Sequence, residues 1–167
     1  MAVILETRRT RLRELTADDA EFVVRLVNEP SFLANIGDKG VRSIDDAKAF
    51  IADGPWRRGQ PDGHGQFLVE LKPDWEPIGV CGLLYRPALD VTDFGCAFLP
   101  AHWRQGFATE TIHAVIDYGR TTLGVERIVG LTAPRNDASI GILNKLGMTY
   151  ERTVRMHDDD PGTLLYS

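Results

Sequence analysis

The 167-residue sequence predicts one α/β (α+β) domain. It is a mixed, mostly antiparallel sheet of about six or seven strands flanked by about four helices. Three observations carry that expectation. Apolar runs of strand length recur at residues 67–71, 78–85 and 93–99, joined by short connections that hold Pro and Gly. Elsewhere apolar residues recur at helical spacing behind good N-cap residues. Residues 93–132 read strand–helix–strand, which demands a right-handed crossover and parallel pairing between the fourth and fifth strands.

In chain order, residues 3–5 and 11–15 read as a first strand interrupted by E-T-R-R-T. Thr16 caps a helix whose apolar stripe is Phe22, Val23, Leu26 and Val27, and Asp18 and Asp19 suit the positive end of that helix. Asn28 to Pro30 ends it, and residues 31–42 carry loop signals in Gly37 and Gly40. Ser43 caps a short helix burying Ile44, Ala47, Phe50 and Ile51. The polar, Gly-rich stretch 53–65 reads as an exposed loop, long enough for a functional flap. After the three strand runs comes a helix with Ile112, Val115, Ile116 and Gly119 on one face, then a fifth strand at 127–132. An A-P-R-N loop leads to a helix over 137–146 closed by Gly147. Residues 148–156 are strand-like, D-D-D-P-G is a turn, and 164–166 begin a last strand. No repeat or linker divides residues 1–167.

Composition bounds the function. A net charge of −5 argues against direct nucleic-acid binding. No apolar run reaches the roughly 20 residues that cross a membrane, and the early charges in M-A-V-I-L-E-T-R-R do not fit a signal peptide. Cys81 and Cys96 lie in apolar runs with no C-x-x-C and no His pair nearby, so they read as reduced core thiols, not a metal site. The expected compartment is the cytoplasm, and the expected state a monomer or homodimer.

The most specific local signal is His102 to Glu110, H-W-R-Q-G-F-A-T-E, between a strand and a helix. The first N–H groups of a helix lack partners and carry partial positive charge. A loop of small residues, here Gly106 and Ala108, lets a phosphate approach them. Neither G-x-x-x-x-G-K-[ST] nor G-x-G-x-x-G is present, so the ligand is a phosphorylated cofactor held in some other way.

This loop resembles the pyrophosphate loop of the GCN5-related N-acetyltransferases, roughly [QR]-x-x-G-x-[GA]. Trp103 stands where Gln or Arg is commonest, and Arg104 where many members have Gly. Two further stretches carry the likeness over nearly the whole chain. N-x-x-S-x-x-x-x-x-K-L-G, formed by Asn136, Ser139, Lys145, Leu146 and Gly147, resembles the family's helix beside the pantetheine arm. The start L-E-T-R-R-T-R-L-R-E-L resembles the Rim-type branch, which acetylates ribosomal-protein N-termini. The resemblance implies a single N-acetyltransferase domain that uses acetyl-CoA as co-substrate and no metal. The acceptor would be a protein N-terminal amine or a small molecule such as an antibiotic or polyamine. It implies cofactor contacts at Phe98, Leu99, Arg104, Gln105, Gly106, Phe107, Ala108, Thr109, Asn136 and Ser139.

The implied chemistry is direct attack by a neutral amine on the thioester. An α-amino group, with a pKa of roughly 7.7–8.0, needs less help than a lysine near 10.4. A backbone N–H near Phe98 and Leu99 would hold the oxyanion. Many relatives place a Tyr acid where this chain has Leu143, so Ser139 is the candidate partner of the leaving sulfur. Thiolates leave readily, with thiol pKa values near 8.5. Asp93 is the leading candidate base, with His157, Asp158 and His102 behind it. Two other readings stand beside this one. D-A-S-I-G around Ser139 lacks one Gly of the hydrolase elbow G-x-S-x-G, with Glu151 and His157 as partners. A non-catalytic acyl-CoA-binding module is the other.

Overall fold

The computed structural model describes residues 2–57, 59 and 63–167. Its strands are β1 (Val3–Glu6), β2 (Thr10–Arg13), β3 (Gly65–Leu71), β4 (Glu76–Arg86), β5 (Val91–Phe98), β6 (Ile128–Thr132), β7 (Tyr150–Val154) and β8 (Thr163–Tyr166). They form one sheet in the order β1-β2-β3-β4-β5-β6-β8-β7. Every pairing is antiparallel except β5 with β6. The helices are α1 (Ala20–Val27), α2 (Pro30–Asn35), α3 (Ile44–Asp53), α4 (Phe107–Thr121) and α5 (Asp137–Lys145).

The expected crossover is present: α4 carries the chain from β5 to β6. Two elements exceed the expectation. E-T-R-R-T is a hairpin turn, not an interruption, and Thr7 N–H donates to Thr10 O at 2.9 Å, so β1 and β2 pair side by side. The sheet therefore has eight strands. Pro30 not only ends α1 but opens α2, because its fixed φ and missing N–H suit a first helical position. Phe32, 4% exposed, anchors that helix, so 31–42 is not all loop. The loop expected at 53–65 includes Arg58, Gln60, Pro61 and Asp62, which lie outside the described residues.

Side chains alternate between the two faces of the sheet. On one face Phe67, Cys81, Leu83, Phe94, Cys96 and Phe98 pack against Phe107, Ile112, Val115 and Ile116 of α4 and Leu143 of α5. On the other, Val80 and Ala97 pack with Val23, Leu26 and Val27 of α1, Ala47 of α3, and Trp56. Cys81 and Cys96 are free thiols on directly opposed residues of β4 and β5, and burial pushes the Cys81 thiol up.

A buried ionic network ties β2 and β3 to the start of α1. Arg13 donates to Asp19 at 2.8 Å through both Nη atoms and to Glu70 at 2.8 Å through Nε. Burial pushes the Asp19 carboxyl up, but the Arg13 guanidinium and the Thr16 N–H outweigh it and hold the group below its ordinary range. Its stabilisation is therefore present at neutral pH and lost as pH falls below the ordinary carboxylate value. Removing one partner of a buried pair typically costs about 3–5 kcal/mol. Asp19→Ala is expected to lose that much in urea unfolding at pH 7; a loss under about 1 kcal/mol would contradict the role of the network.

Candidate active site

The site begins where β6 leaves β5. Their pairing covers Thr92, Asp93 and Phe94 and stops. The Leu99 N–H donates to Ile78 O at 2.9 Å, which sets the alternation along β5. Asp93, Gly95 and Ala97 therefore turn their backbone groups toward β4, and Cys96 and Phe98 turn theirs to the side β6 has left. A strand with open backbone groups inside a sheet is a ready place for an extended, amide-bearing chain to lie. The Trp103 indole Nε1 already takes the Phe98 carbonyl at 2.8 Å. Of the two residues expected to offer an N–H, Leu99 has spent its own on β4, whereas that of Phe98 faces the gap.

The gap leads to the N-terminus of α4. Gly106 caps that helix at φ +83, a left-handed conformation that L side chains rarely adopt. Arg104 is left-handed as well, at φ +60, so two reversed residues flank Gln105. The first helical bond runs from Glu110 N–H to Gly106 O, which leaves the N–H groups of Phe107, Ala108 and Thr109 outside the helical ladder. The Gln105 side chain is spent on Ala101 O at 3.0 Å.

A clamp not anticipated from the sequence holds this turn. Glu110 accepts from Thr7 Oγ1 at 2.6 Å, Arg9 N at 2.9 Å and Arg9 Nε at 2.7 Å. Arg9 Nη1 reaches Gln105 O at 2.9 Å, and its guanidinium lies 4.4 Å from the Phe107 ring centroid. The signal was available: a carboxylate beside a loop expected to take an anion needs a cation to neutralise it. Nothing in the sequence pointed to Arg9 in particular, about a hundred positions away.

Asp93 sits on β5 at the closed end of the gap, 3% exposed. By the alternation along β5 its side chain lies on the face of the sheet opposite α4. Arg86 approaches it with Nε at 3.0 Å and Nη2 at 3.4 Å. Burial pushes the carboxyl up to about 6, against the opposing pull of Arg86. The other candidate bases are placed less favourably. His157 and Asp158 are exposed in the β7–β8 turn. His102 lies 3.6 Å from Glu76 and edge-on to Phe107.

On α5, Asn136 is an N-cap whose Oδ1 accepts from the Ser139 N–H at 3.2 Å. The Ser139 hydroxyl is half-buried in the first turn and has no hydrogen-bond partner among the described residues. Leu143 is 2% exposed and belongs to the core. Glu151, a partner in the hydrolase reading, is paired with Arg127.

An open strand edge thus leads to a helix N-terminus that lacks a side-chain cap, with a buried carboxyl on the far face of the sheet. The family described as Acetyltransferase (GNAT) domain matches residues 9–149, and the chain belongs to it. Over 98% of its length it is 32% identical to the uncharacterized N-acetyltransferase YoaA of Bacillus subtilis, covering 92% of that protein. Two solved structures share the fold. A ribosomal L7/L12 α-N-protein acetyltransferase in complex with coenzyme A has a TM-score of 0.79 at 16% identity, covering 99% of this chain and 96% of that one. A spermidine N-acetyltransferase chimera from Vibrio cholerae and a second enzyme has a TM-score of 0.73 at 20% identity, with 94% and 93% covered. The protein is an N-acetyltransferase, and acetyltransferases of this fold use acetyl-CoA. No helix among the described residues is long and apolar enough to cross a membrane.

Proposed function

We propose that this protein moves acetyl from acetyl-CoA to an α-amine, such as a protein N-terminus, with Asp93 as general base. Acetyl-CoA supplies the acetyl group as a reactive thioester. The unpaired N–H groups of Phe107, Ala108 and Thr109, with the turn of Arg104, Gln105 and Gly106, would hold its pyrophosphate. The backbone of Cys96 and Phe98 would take the amide-bearing arm, with Leu99 serving as wall and not as donor. A free N–H on this edge suits the oxyanion that develops during transfer. Asn136 would support the first turn of α5 and leave the Ser139 hydroxyl to donate to the departing sulfur.

The observation that carries the reading is Asp93: a carboxyl of pKa about 6 on the strand whose edge is open. The acceptor's own pKa bears on the reaction as well. Taking a proton from an α-ammonium of pKa about 8 is uphill by roughly 2 units, or about 3 kcal/mol. From a lysine ammonium near 10.4 it is uphill by more than 4 units, about 6 kcal/mol. The gap of about 3 kcal/mol comes from the amines themselves and holds for any base, and it is the ground for proposing an α-amine. The fold alone is neutral here, since the two structural relatives act on a ribosomal protein and on spermidine. The test is thiol release from acetyl-CoA with N-terminal peptides, blocked-terminus lysine peptides and spermidine. Faster release with free N-terminal amines is expected; preference for the lysine peptides or spermidine would refute the assignment.

A further inference from the structure

On the face opposite α4, Gln66 lies across a floor of two glycines. Gln66 pairs with Gly82, and Gly82 pairs with Gly95. A Cβ on Gly95 would fall 2.7 Å from Gln66 Nε2, so the bare backbone at Gly95 is what admits the carboxamide. Gln66 is 5% exposed, yet its Oε1 has no hydrogen-bond partner among the described residues. Leaving such an atom dry costs about 1–3 kcal/mol. A ligand that supplies the missing donor would remove that cost.

The surroundings fit that use. Gln66 lines a cavity of about 420 Å³ together with Glu14, Leu15, Ile51, Trp56 and Arg57. Gly95 precedes Cys96, where β5 loses β6. Asp93 lies two residues back on the same face, about 7 Å along the strand at 3.3–3.4 Å per residue. The Gln66 amide over Gly95 and the Asp93 carboxyl therefore follow one another along the same face of β5.

We propose that this cavity seats the acceptor and that Gln66 Oε1 accepts a hydrogen bond from the attacking amine, aiming its lone pair at the open edge of β5. The inference rests on the transferase reading above and adds the substrate class. Among the described lining residues one carboxylate, Glu14, accompanies one guanidinium, Arg57. A polyamine would call for several carboxylates. One of each sign, beside the apolar wall of Leu15, Ile51 and Trp56, suits an amine with a carbonyl or carboxylate next to it. The volume lies at the small end of ligand pockets, which run about 300–1,000 Å³. The acceptor is thus an amino-acid head, either free or as the first residue of a peptide.

Gln66→Met keeps the length and removes the acceptor atom. Its KM for the best amino-acid-type acceptor should rise about 10–100-fold, while the KM for acetyl-CoA and the melting temperature stay near the parent's. Free amino acids, amino-acid amides and short peptides should be compared as acceptors, with spermidine and an aminoglycoside beside them. Turnover of peptides alone assigns a peptide N-terminus; turnover of the free compounds assigns a small metabolite. An unchanged acceptor KM in Gln66→Met would overturn the role of Gln66. Spermidine or the aminoglycoside outpacing every α-amino compound would overturn the substrate class, as would no turnover of any α-amino compound. If acetyl-CoA itself fails to raise the melting temperature of the parent, the transferase reading fails first. If Gln66→Met melts early, Gln66→Glu serves as the second variant: the added charge should bind the ammonium form and depress kcat without changing the KM for acetyl-CoA.

Discussion

Asp93→Asn will lower kcat/KM for the amine by about 10²–10⁴-fold at pH 7.5, the range that a positioned general base contributes. The same change will not weaken the fold. The folded carboxyl titrates near 6, above its ordinary 3.8. A group raised in this way favours the folded state fully below the ordinary value, and that benefit is lost as pH rises through 6. At neutral pH the ionised, buried carboxylate therefore costs the fold about 3 kcal/mol. Asn carries no charge at any pH and escapes that cost. Arg86, whose side chain is 37% exposed, keeps access to water when its partner is neutralised. The variant should thus melt at or above the parent at pH 8, with the difference shrinking toward pH 4. The parent's kcat/KM should also rise with pH through about 6, and that limb should vanish in the variant. A fully active Asp93→Asn, or one that melts well below the parent at pH 8, would show that the carboxylate serves structure instead of proton transfer.

Gly106→Asp should weaken acetyl-CoA binding by about 10²–10³-fold. Two causes act together. The position needs φ +83, and a Cβ there would sit 3.1 Å from Arg9 Nη2. The new carboxylate would also stand where the pyrophosphate is expected and draw Arg9 away from Glu110. Like charges about 4 Å apart repel by about 4 kcal/mol at an effective dielectric of 20. Each 1.4 kcal/mol is tenfold in affinity. Calorimetry with coenzyme A and with its acetyl ester measures this directly, and equal affinity for variant and parent would remove the turn from the binding site.

Much of this was legible from local pattern. Gly106 and Ala108 marked the strand-to-helix turn where an anion site is proposed, because the physics of a helix N-terminus is local. The helix carrying Ile112, Val115, Ile116 and Gly119 and the parallel strand after it followed from spacing alone. What the sequence concealed was non-local. Arg9 and Thr7 reach Glu110 only because the β1–β2 turn folds over α4. The Gln66 site depends on Gly82 and Gly95 aligning across three strands, a register that no single segment encodes. Pro30 misled for a different reason: the same residue stops one helix and starts the next, and burial of Phe32 is what anchors the second. The side-chain direction of Asp93 was legible in principle from alternation. Its pKa was not, since that depends on how deeply the folded chain buries it and on the approach of Arg86.

The most direct test of the account is titration of the purified protein with acetyl-CoA, followed by melting temperature. A ligand that binds only the folded state stabilises it by about 2.7 kcal/mol at a hundredfold excess over Kd. For a chain of this size that is a rise of roughly 5–10 °C. The account predicts a saturable rise of that order in the parent and little or none in Gly106→Asp. A parent whose melting temperature stays unmoved at millimolar acetyl-CoA would contradict it.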